Sequence, residues 1–597
     1  MRTSARKRHL CSILLFVATG LAGLWRWHGS TSSDFRQKPA APPAQGRSTP
    51  PPTVSQDPAA QPSVADSPRA VGQTIPLWTL GPDQGTRLMP KSPAFHLAKA
   101  RGGKPKGLSA TIAPGSIPPL VLLRQGDRII IPLPGGGQIT GEVNLVQKEA
   151  GDVLAVAGGV AGSSRSSFTL LSYGKEIAGR IMIREEELAY VINRSSSGEP
   201  VVEEAALADL ECLGAASVPQ SGAPRRLQTA ETVSVPIRSS RPTAFAVLYL
   251  DFDGETVQDR DWNGGGKIVA APSTRNPAEM EEIWRRVSEH YRPFDVDVTT
   301  DRQRYDSTPS NHRARCIITP TDNWFNSGRD EPAGGVAMLC AFRFSGLFYP
   351  FGLTTTDIYV FSPTVPCWVF ENRLGDDRDS AHTAQLVKSI AEAATHELGH
   401  TLGLKHDGKD VPGSSHIEYY DADPTNKRYG YEPGIWAPIM GCSYFKAVSQ
   451  WSKGEYPYAN NHEDQIAVIA GENGFGFAAD DLAARMADQD RARAPSLNAP
   501  SGNINQNVII HNEDDTSYYR IDSGGGDANV AILATNDIPL ANTTQPIASD
   551  IYIHLELQDK NGNVLTSNEG NTAFISQTLP VGSYYLKVKG VGSGQVA

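Results

Sequence analysis

The sequence predicts a multidomain chain. It has an α+β domain with a mixed sheet and one long helix, preceded by a β-rich unit and followed by an all-β sandwich. Three observations predict this. The chain has 597 residues, several times a single domain of about 150. Short β-branched and aromatic runs broken by Gly and Ser clusters occupy residues 75–235 and 504–597. Between them, residues 236–486 order a strand, a helix, further strands and a second, longer helix. Gly (56) and Pro (43) together approach one residue in six, so loops and linkers are abundant.

Residues 1–27 open with Arg2, Arg6, Lys7 and Arg8, and an uncharged run follows from Leu10 to Leu24. This is the layout of a secretory signal, with a retained N-terminal anchor as the alternative, and it predicts an exported protein that is secreted, periplasmic or on the cell surface. No other long apolar run occurs, so further membrane spans are not expected. The net charge is -10 although seven Lys and Arg lie in the first 38 residues, which argues against nucleic acid as the partner. Residues 28–74 are a Pro-rich, disordered linker.

In the β-rich unit, 75–235, strands are expected at Arg128–Pro132, 138–143, 153–156, Ser167–Leu171, Ile177–Ile183 and 188–192. Arg225-Arg226 near its end is a candidate processing site. Next, Ala244–Phe252 reads as a buried strand, and Asn276-Pro277 opens a helix with Met280, Ile283, Trp284, Val287 and Tyr291 on one face. Strands follow at 294–298, Cys316–Thr319 and 357–362, then a helix from about Ala384 to Leu402. Another helix is opened by Asn461 with Asp464 at its third position. Residues 487–503 are a linker. The last block carries strands at 518–521, 530–534, 551–557 and Tyr584–Val588, with an Asn561-Gly562 turn. A closing strand is expected after them, where the sequence reaches Ala597.

Five cysteines lie beyond Cys11 of the apolar run. Cys316, Cys340, Cys367 and Cys442 suffice for two disulfides, with three connectivities open, and Cys212 is left over.

The chemistry concentrates in T-H-E-L-G-H-T-L-G-L-K-H-D-G, residues 395–408. On a helix, His396 and His400 point the same way one turn apart, the spacing of two ligands on one tetrahedral zinc. Gly403 can end the helix in a left-handed conformation and return His406 as a third ligand. Three neutral histidines leave one position for a water, and Glu397 is placed as the general base. Three His and one Gly at these offsets arise by chance in roughly 6 chains in 10,000, so the pattern is specific.

These residues resemble the extended motif of the metzincin zinc metalloproteases, position for position. A-P-I-M-G at residues 437–441 resembles the Met-turn of that family, with Met440 beneath the metal, and Asp407 resembles the reprolysin-like branch, where it is a structural carboxylate. Some branches place a tyrosine two residues after the Met; here that position is Cys442, and Tyr444 is the nearest tyrosine. The resemblance implies one catalytic zinc, protein or peptide substrates and an edge strand for binding them, for which Gly334–Phe342 is the candidate. It also implies a zymogen, with Cys212 as candidate latency switch, against a free or buried thiol in the propeptide. Asp376, Asp377 and Asp379 are a candidate calcium group, with a solvated loop as the alternative. Residues 504–597 are similar to the bacterial pre-peptidase C-terminal domain through Y-Y-R-I-D (518–522), D-I-Y-I-H-L-E-L (550–557) and L-P-V-G-S-Y-Y-L-K-V (579–588). The reading that follows is a secreted zinc endopeptidase; the alternative is a cell-surface binding or adhesion protein on a metalloprotease-fold scaffold. Oligomeric state and natural substrate are not specified.

Overall fold

The computed structural model describes residues 13–19, 74–81, 107–212, 234–346, 360–422, 436–478, 490–497, 503–534 and 551–591, apart from gaps of one to four residues. The Arg225-Arg226 pair and most of the Pro-rich linker lie outside the described residues.

The β-rich unit is a nine-stranded sheet. Its central part is an antiparallel meander through Arg128–Pro132, Gln138–Lys148, Leu154–Val160, Ser167–Tyr173, Glu176–Ile183, Leu188–Arg194 and Pro200–Ala206. Apolar residues such as Ile129, Val156, Phe168, Leu170, Ile181 and Val202 form its core.

The next unit is built on a five-stranded sheet: β1 (Ala246–Asp251), β2 (Val296–Thr299), β3 (Arg313–Thr319), β4 (Gly335–Val336) and β5 (Cys367–Phe370). The order is β2-β1-β3-β5-β4, all parallel except β4, the antiparallel edge. Helix α1 (Pro277–His290) starts in a capping box between Asn276 and Glu279 and buries Met280, Ile283 and Val287, each worth about 1.5–3 kcal/mol. It packs on α2 (Ser380–Thr401): the Tyr291 hydroxyl just past α1 donates to Thr395 O at 2.9 Å.

Three local expectations are corrected. The expected strand at 357–362 lies partly outside the described residues; Phe361 makes only an isolated bridge, and the sheet uses β5 instead. The edge strand at 334–342 is short, because Cys340 takes a left-handed conformation (φ 61°) and leads into a helical turn at Ala341–Phe344. Asn461 does not cap a helix: its amide donates to Lys405 O and Glu463, while Asp464 caps Gln465–Ala467.

The two expected disulfides are absent as well, and all five described cysteines are thiols. Cys340 lies near Gly403 at the end of α2, whereas Cys442 lies near Lys388, about four turns earlier, so those two cannot meet. Cys316 and Cys367 are register partners on β3 and β5, buried as unlinked thiols in the sheet.

The C-terminal block holds two four-stranded sheets around a core that includes Tyr519, Ile521, Val530, Ile553, Leu555 and Leu586. Ile13–Thr19, within the run read as an export signal, is an extended strand between Asn503–Val508 and Gly526–Ala534 in one of them. Among the described residues, no helix is long and apolar enough to cross a membrane.

Candidate metal centre

Helix α2 is capped by Asp379, whose carboxylate accepts from the backbone N–H of Ala381 and His382. From Leu386 to Thr401 every residue is buried. Its Glu392 accepts from Ser443 Oγ and Ser449 Oγ at 2.7 and 2.8 Å, and Lys388 Nζ donates to the carbonyls of Ser443 and Tyr444 at 2.7 Å. These bonds fix the chain after Met440 against the helix.

The last turn of α2 carries His396 and His400. Gly403, at φ 100°, turns the chain out of the helix as expected, and Leu404 N donates back to Gly399 O at 3.0 Å. That turn returns His406. His400 Nε2 lies 3.0 Å from Nε2 of both His396 and His406. Each Nδ1 faces an oxygen instead: Ile439 O at 2.9 Å, Leu404 O at 2.7 Å and Glu418 Oε1 at 2.6 Å, respectively for His396, His400 and His406. The tautomers that donate from Nδ1 leave all three Nε2 lone pairs converging on one point. Nitrogens about 2.0–2.1 Å from a tetrahedral ion stand about 3.3 Å apart, close to the observed spacing, so the set fits a metal. Burial, then neighbouring His406, pushes His396 down to about 3, and burial with His396 beside it pushes His400 well down; both rings are neutral, as ligands must be.

Met440 lies in the tight turn Pro438–Gly441, closed by Gly441 N donating to Pro438 O at 3.0 Å. It is fully buried against the helix: a Cβ on Gly399, between the first two histidines, would stand 2.8 Å from Met440 Sδ. Asp407 is buried too; its N–H donates to Met440 O at 2.8 Å and its carboxylate accepts from Gln465 at 2.8 Å, which ties the third ligand's loop to the turn.

Glu397 is fully buried and faces the edge strand, where a Cβ on Gly335 would meet its Oε1 at 2.6 Å. The third side chain at this place comes from the β-rich unit. Cys212 Sγ donates to Glu397 Oε2 at 3.4 Å, and Cys212, Glu397 and His400 place ligand atoms within 4.8 Å of one another. The backbone holds it there: Cys212 N donates to Ala337 O and Leu339 N to Leu210 O, both at 3.0 Å, while Ala337 N donates to Cys212 Sγ at 3.1 Å. Residues 210–212 thus run antiparallel to 337–339, just past β4, through an isolated bridge between Glu211 and Met338. Ion pairs between the units clamp them together, Arg260 with Glu149 at 2.9 Å and Arg180 with Asp261, both largely buried.

The candidate calcium group is not assembled. Asp379 is spent on capping, Asp377 lies 3.5 Å from Arg275, and the His and Cys groups above are the only candidate metal clusters among the described residues.

Two residues escaped the sequence reading. Glu418 bridges His406 and His416, at 2.6 and 2.8 Å. Burial would raise its carboxyl, but the hydrogen bonds and charges of these two histidines outweigh that and hold it at about 2. Tyr419 stands beside the third ligand, its ring 4.6 Å from that of His406, whereas Tyr444 is buried near Cys442 and Glu397. Both lie in H-I-E-Y-Y, a loop stretch without periodicity, and only its acidic and aromatic residues soon after a ligand histidine hint at a role. Because Glu418 orients the His406 ring, Glu418→Gln is expected to weaken metal affinity about 10–100-fold with the fold intact, measured by competition with a chelator.

No protein-family model matches the chain, and no curated protein matches it in sequence.

Proposed function

We propose that this protein is an exported zinc endopeptidase of metzincin type, made as a zymogen whose β-rich propeptide closes the active site. The observation that carries the reading is the convergence of three Nε2 atoms, with the buried Glu397 next to the first ligand and Cys212 Sγ donating to that glutamate. His396, His400 and His406 would hold the ion. Bound there, zinc supplies Lewis-acid polarisation of a carbonyl and lowers the pKa of a water.

The chain's own residues do the rest. Glu397 accepts a proton from the attacking water at its carboxylate and delivers it to the departing amine nitrogen. Once released from the propeptide, the Ala337 C=O and Leu339 N–H groups bind an extended peptide by the bonds now made to Cys212 and Leu210. In the precursor, Cys212 occupies the general base Glu397 and residues 210–212 occupy the backbone groups that a substrate would use, so one segment would block both chemistry and binding. Gly335→Ala, whose Cβ meets Glu397, is expected to lower turnover at least ~10-fold while metal content stays at one per chain.

Metal removal tests the reading. Full-length protein treated with a thiol-reactive organomercurial is expected to hydrolyse denatured protein, to stop after dialysis against a chelator, and to recover with one equivalent of zinc. Hydrolysis that survives with no metal bound sinks the zinc assignment. A folded, zinc-loaded and thiol-blocked chain that cleaves nothing favours a binding protein on an enzyme scaffold.

A further inference from the structure

His416 stands between two carboxylates in the loop that follows the third ligand. Its Nδ1 lies 2.8 Å from Asp410 Oδ1, and its Nε2 lies 2.8 Å from Glu418 Oε2. Both partners only accept, whereas a neutral imidazole offers one donor and one lone pair. Only the imidazolium satisfies the two contacts together. Among the described residues, the charged groups that face the ring are these two carboxylates, one on each side.

The loop is closed at its base. Lys409 and Ile417 exchange backbone hydrogen bonds at 2.8 and 3.0 Å, and Tyr420 N donates to Asp407 O at 2.7 Å. A Cβ on Gly408 would collide with Ile417 O, so the two legs lie flat on each other. Asp410 belongs to the leg that leaves His406, and Glu418 to the leg that returns. His416 cross-links them, and the carboxylate it holds is the one that accepts from His406 Nδ1 at 2.6 Å. Burial alone would push the His416 pKa down, but the hydrogen bonds and charges of Asp410 and Glu418 outweigh it and raise it above its ordinary value of 6.5. The full cross-link is therefore present at pH 6 and is lost as pH rises through the raised value, when one contact becomes a lone pair facing a carboxylate oxygen.

We infer that His416 is a positioning residue of the metal centre: as an imidazolium it locks Glu418 onto His406, so the chain holds its metal more tightly while His416 is protonated. This rests on the zinc reading of the three histidines, not on what the zinc is used for.

The test is zinc transfer from full-length protein to a chromophoric chelator between pH 6 and 9. Wild type and His416→Gln are compared at each pH, so protonation of the ligand histidines and of the chelator divides out of the ratio. Wild type is expected to hold zinc about 10-fold more tightly at pH 6, and within about twofold at pH 9. Asp410→Asn, on the exposed leg, is expected to lose this advantage at a lower pH than wild type does. In a Glu418→Gln background, His416→Gln is expected to add less than about twofold, because it acts through that carboxylate. A ratio that stays constant from pH 6 to 9, or a His416→Gln effect of equal size in both backgrounds, overturns the inference while the zinc centre stands. Failure of wild type to bind one zinc per chain overturns the zinc reading, and this inference with it.

Discussion

Glu397→Gln full-length protein is expected to bind one metal ion per chain with wild-type affinity and to lose hydrolysis by about 10²–10⁴-fold. The side chain sits fully buried between Gly335 and Cys212. Gln keeps its size and fills the same space, so packing against the edge strand survives. What Gln cannot do is take a proton from water and hand it on. The loss is expected on kcat rather than KM, because the proposed peptide contacts are backbone groups along 337–339. Metal content measured on the same sample separates this from loss of the site.

Cys212→Ser in the full-length precursor is expected to raise basal hydrolysis roughly 100-fold. The substitution removes a sulfur that donates to Glu397 at 3.4 Å but leaves the ion pairs Arg260–Glu149 and Arg180–Asp261 that clamp the units. An interaction of about 3 kcal/mol lost from the closed state raises the open fraction roughly 100-fold. Activity therefore rises without proteolysis, and the gain is read on the intact chain by gel and rate assay together. Equal, low rates in the two precursors would assign latency to the clamp alone.

Much of the centre was legible in the sequence because it is local. The offsets of His396, His400, Gly403 and His406 translate directly into one helix face and one left-handed turn. Met440 was legible through its turn residues and the order of motifs. Six strands of the β-rich unit followed from short β-rich runs and lie within about five residues of those expected, whereas Thr74–Pro76, Ser109–Thr111 and Pro200–Ala206 were not foreseen. What escaped depends on distant chain meeting distant chain. Glu418 matters only because the loop after His406 folds back onto it, and Gly335 only because Glu397 approaches it. The cysteine count suggested disulfides, yet the topology sets Cys340 and Cys442 near opposite ends of α2. Cys212 was singled out by elimination, but the segment that seats it against 337–339 required the packing of two units.

The central claim is that this chain cuts peptide bonds with Glu397 at a metal guarded by Cys212. The most direct measurement is a mass-spectrometric census of new peptide termini after a mixed protein substrate is incubated with the Cys212→Ser chain or with Cys212→Ser/Glu397→Gln, each verified to hold one metal. The account predicts many new termini with the first and background with the second. Equal termini in both, or none in either, would contradict it.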